Sequence, residues 1–257
     1  MPATDLDLLA DAAREAGEIA RGYWRENPQV WDKGGDDPVS EADFAVDTHL
    51  RTRLLAARPD YGWISEESED DLSRLAAPRT FSVDPIDGTR AFVAGEPTWA
   101  HSLAVVEKGR PVAAAVYLPV KDKLYLAAAG RGATLNGAPV SASSAADPEA
   151  AHVLTPKVTL QPQFWKAGNV PGFTRHFRPS LAYRLALVAE GRFDAMMTLR
   201  AAWEWDIAAG ALLCSEAGAI ATDRSGNSLT FNNPTRQTAG VIAGAADVHA
   251  GLLARLA

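Results

Sequence analysis

The sequence is short of cysteine, of positive charge and of long apolar runs. Its single cysteine, Cys214, cannot form an internal disulfide, so the fold does not depend on oxidation. A net charge of −7 argues against binding to long nucleic acids, which requires a basic surface. The longest apolar run, residues 112–120, is too short to cross a bilayer, and the N-terminus has no signal-peptide pattern. We therefore expect a cytoplasmic protein with no membrane or nucleic-acid partner.

Several common site motifs are also missing. There is no P-loop, and the glycines of residues 130–137 have the spacing of a hairpin instead of a dinucleotide-binding loop. One cysteine and five scattered histidines offer no zinc-ligand set. The acids of residues 84–88 do not follow the order of an EF-hand loop. A metal site in this chain would therefore use carboxylate and carbonyl oxygens.

The first half of the chain predicts helices on a mainly antiparallel sheet. Apolar spacing predicts a helix over residues 5–24 and a second one, containing Val46, Leu50 and Leu54, after a polar loop at residues 32–40. We expect strands at residues 62–65 and 80–83, and several more over residues 100–140, joined by glycine-containing turns. Residues 1–140 are thus predicted to form an N-terminal α+β lobe.

The second half predicts strands that alternate with helices. Apolar segments at residues 151–156, 193–199, 219–223 and 240–244 are separated by predicted helices at residues 181–191, 206–217 and 246–256. Residues 141–180, rich in Ser, Ala and Pro, give the weakest pattern. We expect residues 141–257 to form a C-terminal α/β lobe, packed closely on the first lobe because no long linker separates them.

The segment VDPIDGTRAF, residues 83–92, is the strongest candidate site. Pro and Gly beside Asp are also typical of an ordinary turn, but Asp84 directly follows an apolar strand, and a buried charge requires a partner or a metal. Pro85 restricts the chain so that the Ile86 carbonyl and both carboxylates can face one side, where they suit Mg²⁺. The amides of Gly88 and Thr89 would then face an anion.

Other acids follow similar apolar segments, and each has an ordinary structural explanation. Glu66 and Glu67 end the strand of residues 62–65, where a solvated acidic loop is the alternative. Asp206 begins an Ala/Leu helix, where an N-cap role is the default. Asp43, three residues after Ser40, is equally half of a capping box.

In the order SEADFAVD, SEES, DPIDGT and WDIAAGALLCSEAG, these segments resemble the inositol monophosphatase superfamily of Mg²⁺-dependent, lithium-sensitive phosphatases. The resemblance implies a layered αβαβα sandwich and two or three Mg²⁺ ions per active site. It implies that Asp43, Glu66 and Thr89 are catalytic, with Asp43 and Thr89 positioning and helping to deprotonate the attacking water. The implied metal ligands are Glu66, Asp84, the Ile86 carbonyl, Asp87 and Asp206.

The residues before Asp206 bear on the substrate. The inositol-hydrolysing branch has a Glu where this chain has Leu199, and the chain looks more like bacterial 3′(2′),5′-bisphosphate nucleotidases. That resemblance implies removal of the 3′-phosphate from adenosine 3′,5′-bisphosphate, with inositol 1-phosphate or histidinol phosphate as alternatives. A non-catalytic regulatory binding module is the alternative of another class, and a homodimer is expected. The implied substrate-binding residues are Gly88, Thr89, Tyr183, Arg184, Arg200 and Trp203.

The segment before the glutamate pair departs from the family pattern. Glycine is usual at the position that Ser65 occupies here, so the resemblance does not fix the geometry of the loop that carries Glu66 and Glu67.

Overall fold

Two β-sheets alternate with three layers of helices. The computed structural model describes residues 4–35 and 38–257, so positions 36 and 37 of the predicted polar loop lie outside the described residues. The described residues form six α-helices, and none is long and apolar enough to cross a membrane. In chain order they are α1 (Asp5–Tyr23), α2 (Glu41–Ala57), α3 (Thr89–Val93), α4 (Leu181–Ala189), α5 (Glu204–Glu216) and α6 (Ala246–Arg255).

The first sheet follows the chain order. A small hairpin of β1 (Val30–Asp32) and β2 (Pro38–Ser40) precedes it. In the first sheet, only the first two strands pair in parallel and all others pair antiparallel, which confirms the predicted mainly antiparallel sheet. The seven strands are β3 (Gly62–Ser65), β4 (Thr80–Asp87), β5 (Ala100–Glu107), β6 (Arg110–Leu118), β7 (Lys123–Ala128), β8 (Ala133–Leu135) and β9 (Ala138–Val140).

The second sheet is mixed and uses the C-terminal half. Its five strands, in spatial order, are β11 (Thr174–His176), β10 (His152–Leu154), β12 (Ala195–Thr198), β16 (Val241–Gly244) and β14 (Ile220–Thr222). A separate pair joins β13 (Ala202–Trp203) to β15 (Gln237–Thr238). Between β10 and β11 the chain forms short 3₁₀ turns, which explains why residues 141–180 show no regular apolar period.

The first sheet is buried on both faces. Leu103 and Val105 of β5 pack towards α1 and α2, whereas Ala104 and Val106, on the opposite face, pack towards α4 and α5. This double burial explains most of the continuous apolar run of residues 112–120, since residues 113–118 of β6 are buried on both faces of the sheet. Helices α4 and α5 lie between the two sheets, and α6 covers the outer face of the second one. The arrangement is the expected layered αβαβα sandwich.

The central helices approach each other closely. A Cβ atom at Gly210 of α5 would collide with the Leu185 side chain of α4, so glycine is needed for this contact. Both helices come from the C-terminal half of the sequence, yet they form one apolar core with strands of the first sheet. The division into lobes at residues 1–140 and 141–257 stays a prediction, and the shared core ties the two halves together.

Candidate active site

A bulge in β4 shapes the candidate site. The predicted strand of residues 80–83 continues through Asp87, because Asp84 pairs with Ser102 and Asp87 with Ala100 of β5. Two residues of β4 therefore oppose one residue of β5 between these pairs. In a regular strand, residues 84 and 87 would point to opposite faces. A bulge changes this alternation and re-aims side chains.

His101 supports the bulge from the neighbouring strand. Its ring is fully buried, and Nδ1 makes a short hydrogen bond with the carbonyl oxygen of Pro85. Burial lowers the pKa of His101 to about 4, so the ring is neutral and Nδ1–H is the donor. Sequence analysis missed this residue, because only the strand register places it opposite the DPID segment.

Asp84 lies at the centre of the acidic residues. Its side chain is buried, and Oδ1 has no hydrogen-bond partner among the described residues. Burial, then the nearby charges of Glu66, Asp87 and Asp206, raise the pKa of Asp84 well above its usual value. A buried carboxylate oxygen without a partner costs free energy unless a cation meets it. This donor set of oxygens fits a hard divalent cation.

The Glu66–Glu67 turn follows β3 beside the start of the bulge. The Glu66 amide donates to the Val83 carbonyl at 3.3 Å, which places the glutamate next to Asp84. The Lys33 ammonium lies 3.0 Å from Glu66 Oε1 and 2.6 Å from Glu67 Oε1. Burial raises the pKa of Glu67 to about 7, despite the lysine. Lys33 was not anticipated, since nothing in the sequence links residue 33 to residue 66.

Asp87 accepts hydrogen bonds from the start of α4. Ser180, the N-cap of that helix, donates its hydroxyl at 2.6 Å, and the amides of Leu181 and Ala182 donate at 3.1 and 2.5 Å. Burial still raises the pKa of Asp87 above its usual value. Ser180 was also missed. Its sequence signal was that of an ordinary N-cap, and its partner lies 93 residues away.

Asp43 has both of the contacts that the sequence left open. It accepts from the Ser40 amide at 2.8 Å and the Ser40 hydroxyl at 2.6 Å, which is the capping contact of α2. Its other oxygen lies 3.1 Å from the Thr89 hydroxyl at the start of α3. Burial raises the pKa of Asp43 to about 6.

Asp206 lies in the first turn of α5, so the N-cap role, its default structural explanation, does not apply. The helix begins two residues earlier, at Glu204, and Trp203 is the N-cap. Two contacts fix this helix start. The Ser102 hydroxyl donates to the Trp205 carbonyl at 2.8 Å, and buried Glu204 accepts from the Asn233 amide at 2.8 Å. Strand β5, which pairs with the bulged strand, is therefore joined to α5 directly beside Asp206.

The side chains of these acids are not arranged as a metal coordination shell among the described residues. Within the described ranges, no three carboxylate, imidazole or thiol side chains are arranged so that they could hold a metal ion. Glu66 forms an ion pair with Lys33, and Asp87 accepts hydrogen bonds from the start of α4. Cation binding would therefore require side-chain rotation, and the ligand roles of these residues, including the Ile86 carbonyl, stay predictions.

The predicted substrate residues fall into two groups. Gly88 has a positive φ of 97°, at the N-cap of α3, and Arg200 is exposed at the end of β12. Trp203 is 38% exposed and stacks on Trp205 with ring centroids 4.9 Å apart. These positions are accessible to a ligand.

Tyr183 and Arg184 of α4 are buried instead. Tyr183 is 3% exposed and packs in the core between the sheets, so it has no free face on which a base could stack. Arg184 donates to the carbonyls of Arg178 and Pro179 at 2.5 and 3.1 Å. It supports the segment before α4, and burial lowers its pKa to about 10. The structure therefore argues against the substrate-stacking role of Tyr183 and weakens the phosphate-binding role of Arg184.

Known proteins resemble this chain in both sequence and fold. The family model described as "Inositol monophosphatase family" matches residues 3–257. The chain is 38% identical to the inositol-1-monophosphatase of Rhizobium meliloti, over 86% of each protein. It is 34% identical to the Nus factor SuhB of Escherichia coli, over 86% of this chain and 85% of that protein. A solved Thermotoga maritima IMPase superposes with a TM-score of 0.83 at 29% identity, over 97% and 95% of the two chains.

These relatives carry the names of inositol monophosphatases and SuhB, so the narrower resemblance to bisphosphate nucleotidases is not shown. Enzymes of this group are generally Mg²⁺-dependent. The match over nearly the whole chain and the shared layered fold lead to one conclusion: this protein belongs to the inositol monophosphatase family.

Proposed function

We propose that this chain hydrolyses a small phosphate monoester with Mg²⁺ as cofactor. The observation that carries the proposal is the buried Asp84 Oδ1, which has no hydrogen-bond partner in the described part of the chain. Four further acids act on Asp84 electrostatically: Glu66, Asp87, Asp206 and Asp43. Such a concentration of negative charge favours a divalent cation and repels an unaccompanied phosphate ester. When bound, Mg²⁺ supplies activation of water and neutralises charge on the transferred phosphoryl group.

The proposed ligands come from three parts of the fold. Glu66 would reach the cation from the turn after β3, Asp84, Asp87 and the Ile86 carbonyl from the bulge, and Asp206 from α5. The group contains no serine, cysteine or histidine to act as a covalent nucleophile, and its carboxylates would be occupied by the cation. We therefore assign the attack to water.

Asp43 and Thr89 are the proposed water-positioning pair. The Thr89 hydroxyl can donate a hydrogen bond to Asp43, and its oxygen then has a lone pair that can accept a hydrogen bond from the attacking water. Asp43, buried and with a pKa raised to about 6, is a suitable acceptor for a proton near neutral pH. Gly88 and Thr89 amides are the proposed donors to the phosphate oxygens.

For the substrate we propose adenosine 3′,5′-bisphosphate, with loss of the 3′-phosphate. Leu199 is 6% exposed and packs in the apolar core beside the second sheet, so this position offers no polar group to inositol hydroxyls. Exposed Arg200 would hold the second phosphate, and Trp203 would contact the base. Inositol 1-phosphate is the second candidate, because the named relatives include an inositol-1-monophosphatase.

A phosphate-release screen tests these proposals. The substrates are adenosine 3′,5′-bisphosphate, inositol 1-phosphate, histidinol phosphate and fructose 1,6-bisphosphate, each with Mg²⁺ and with chelator. We expect Mg²⁺-dependent release, with the highest kcat/KM for the adenosine compound. A preference for inositol 1-phosphate or histidinol phosphate would assign the chain to that branch. No release from any phosphate monoester would favour a non-catalytic binding module. Lithium inhibition and a homodimer also stay predictions.

A further inference from the structure

One carboxylate holds both ends of the turn that carries the glutamate pair. The Ser65 hydroxyl makes a short hydrogen bond with Asp47 Oδ1, and the Ser68 hydroxyl donates to Asp47 Oδ2 at 2.7 Å. The Trp63 indole N–H, in β3, donates to the Ser68 oxygen at 3.1 Å. We call Asp47, Ser65 and Ser68 the turn brace. Asp47 is 7% exposed, so these hydroxyl donors compensate a carboxylate that has little contact with water.

The turn brace fixes one side of Glu66, and the main chain fixes the other. The Glu66 amide donates to Val83 of β4 at 3.3 Å, and the Glu67 amide lies 3.4 Å from the Ser65 hydroxyl. The Glu66 side chain is paired with Lys33, and both side chains are partly exposed. Its main chain is therefore anchored, whereas its carboxylate can rotate. A carboxylate that must leave an ammonium for a metal ion needs such an anchored main chain.

Asp47 also connects this turn to the proposed water-positioning pair. It lies four residues after Asp43 on α2, so both side chains project from the same face of one helix. Asp43 contacts Thr89, while Asp47 contacts the turn before Asp84. One rigid helix thus sets the distance between the proposed base and Glu66.

We propose that Asp47, with Ser65 and Ser68, is a positioning residue that presents the Glu66 carboxylate to the divalent cation. The inference rests on the proposed function for the identity of the cation. Residues that orient a metal ligand without touching the metal typically change metal affinity about 10–100-fold when they are removed. A merely structural brace would change the melting temperature and leave that affinity unchanged.

The test measures Mg²⁺ binding by titration calorimetry without substrate. The variants are Asp47→Ala, Asp47→Asn and the double variant Ser65→Gly/Ser68→Ala. We expect Asp47→Ala and the double variant to weaken Mg²⁺ binding about tenfold or more. Asp47→Asn should keep part of the affinity, because its amide offers an oxygen to Ser65 and an N–H to Ser68. In turnover, the Mg²⁺ concentration for half-maximal rate should rise, with a much smaller loss of kcat at saturating Mg²⁺.

Ser143→Ala is the matched control. It removes a hydrogen bond of the same kind, from a serine hydroxyl to Asp194 at 2.5 Å, in the segment before β10. We expect it to leave Mg²⁺ affinity unchanged. The double variant keeps the test decisive if Asp47→Ala does not fold, since it leaves the α2 helix intact.

Two results would overturn the inference: wild-type Mg²⁺ affinity in the brace variants, or no Mg²⁺ binding by the wild-type protein. The proposed function fails differently. Mg²⁺ binding that weakens as expected, in a protein that releases no phosphate from any substrate of the screen, would support the turn brace and reject the phosphatase activity.

Discussion

The Thr89 hydroxyl lies 3.1 Å from the Asp43 carboxylate and 3.0 Å from the Ile86 carbonyl. A hydroxyl has one proton, so it can donate to only one of these two acceptors at a time. If the Ile86 carbonyl binds a cation, the Thr89 hydroxyl donates its hydrogen bond to Asp43. Occupation of the proposed metal site and orientation of the water-positioning pair are therefore linked through one hydroxyl group.

Substitution of this pair separates catalysis from helix capping. Thr89→Ala and Asp43→Asn should each lower kcat by about 10²–10⁴, the usual value of general-base assistance. The double variant should be scarcely worse than either single one, because the two groups act as a unit. Steady-state kinetics and melting temperatures check this. Loss of a cap alone costs about 1 kcal/mol of folding free energy and leaves kcat nearly unchanged. If each substitution lowers kcat only slightly and the two effects multiply in the double variant, both residues have a structural role only.

Asp84→Asn should abolish phosphate release and leave the fold intact. The substitution removes a buried charge that Glu66, Asp87 and Asp206 repel, so the metal-free variant should unfold at a higher temperature than the metal-free wild type. The same variant should lose the stabilisation that Mg²⁺ gives the wild type. Circular dichroism and calorimetry in chelator and in Mg²⁺ measure both effects. Full activity of Asp84→Asn would contradict its role as a metal ligand.

Without metal, stability should fall as pH rises from about 4 to 7. The folded-state pKa values of Asp43 and Glu67 are raised to about 6 and about 7, so the folded state holds protons that the unfolded state has lost. The stabilisation is complete below the unfolded pKa values and disappears as pH rises through the folded ones. Melting temperatures in chelator should be higher at pH 5 than at pH 7.5. Added Mg²⁺ should raise the value mainly at pH 7.5, and a flat profile would contradict the burial of these charges.

Arg200→Ala should affect a bisphosphate more than a monophosphate. Only the bisphosphate has a second charged group to lose, and hydrogen bonds to charged groups contribute about 1.5–3 kcal/mol. That corresponds to a loss of roughly 10–100-fold in kcat/KM for adenosine 3′,5′-bisphosphate. Arg14→Ala, at an exposed position of α1, is the control that should change neither substrate. An equal loss of kcat/KM for inositol 1-phosphate would show that Arg200 does not bind a second phosphate.

His101→Phe tests the support of the bulge. Phenylalanine keeps an aromatic ring beside Trp99 and Tyr117 but cannot donate to the Pro85 carbonyl. A buried carbonyl left without its donor costs about 1–3 kcal/mol. We expect a lower melting temperature together with weaker Mg²⁺ binding, measured by calorimetry. Unchanged Mg²⁺ binding would limit His101 to a role in stability.

Local sequence was sufficient for the elements and for the family. The apolar period of residues 5–24 and the short apolar segment at residues 62–65 are properties of neighbouring residues, and both elements form where they were predicted. The DPIDGT and WDIAAG segments identified the family, because their acids have a characteristic order along the chain.

The boundaries at the site required the tertiary structure. The strand was predicted to end at residue 83, but pairing with β5 extends β4 to Asp87 through a bulge. Helix α5 begins before Asp206 because contacts from Ser102 and Asn233 hold its first turn. Both effects come from chain segments far away in sequence, which no local pattern contains.

The same reason separates the site residues that were predicted from those that were missed. The sequence by itself determined which carboxylates are available, since Asp84, Asp87 and Glu66 each follow an apolar strand. Only the tertiary structure decided what surrounds them: His101 behind Pro85, Ser180 on Asp87, Lys33 on Glu66 and Asp47 under the turn. It also buried Tyr183, which the sequence placed at the substrate. Burial and hydrogen bonding depend on the packing of segments that are remote in sequence, and that packing exists only in the folded chain.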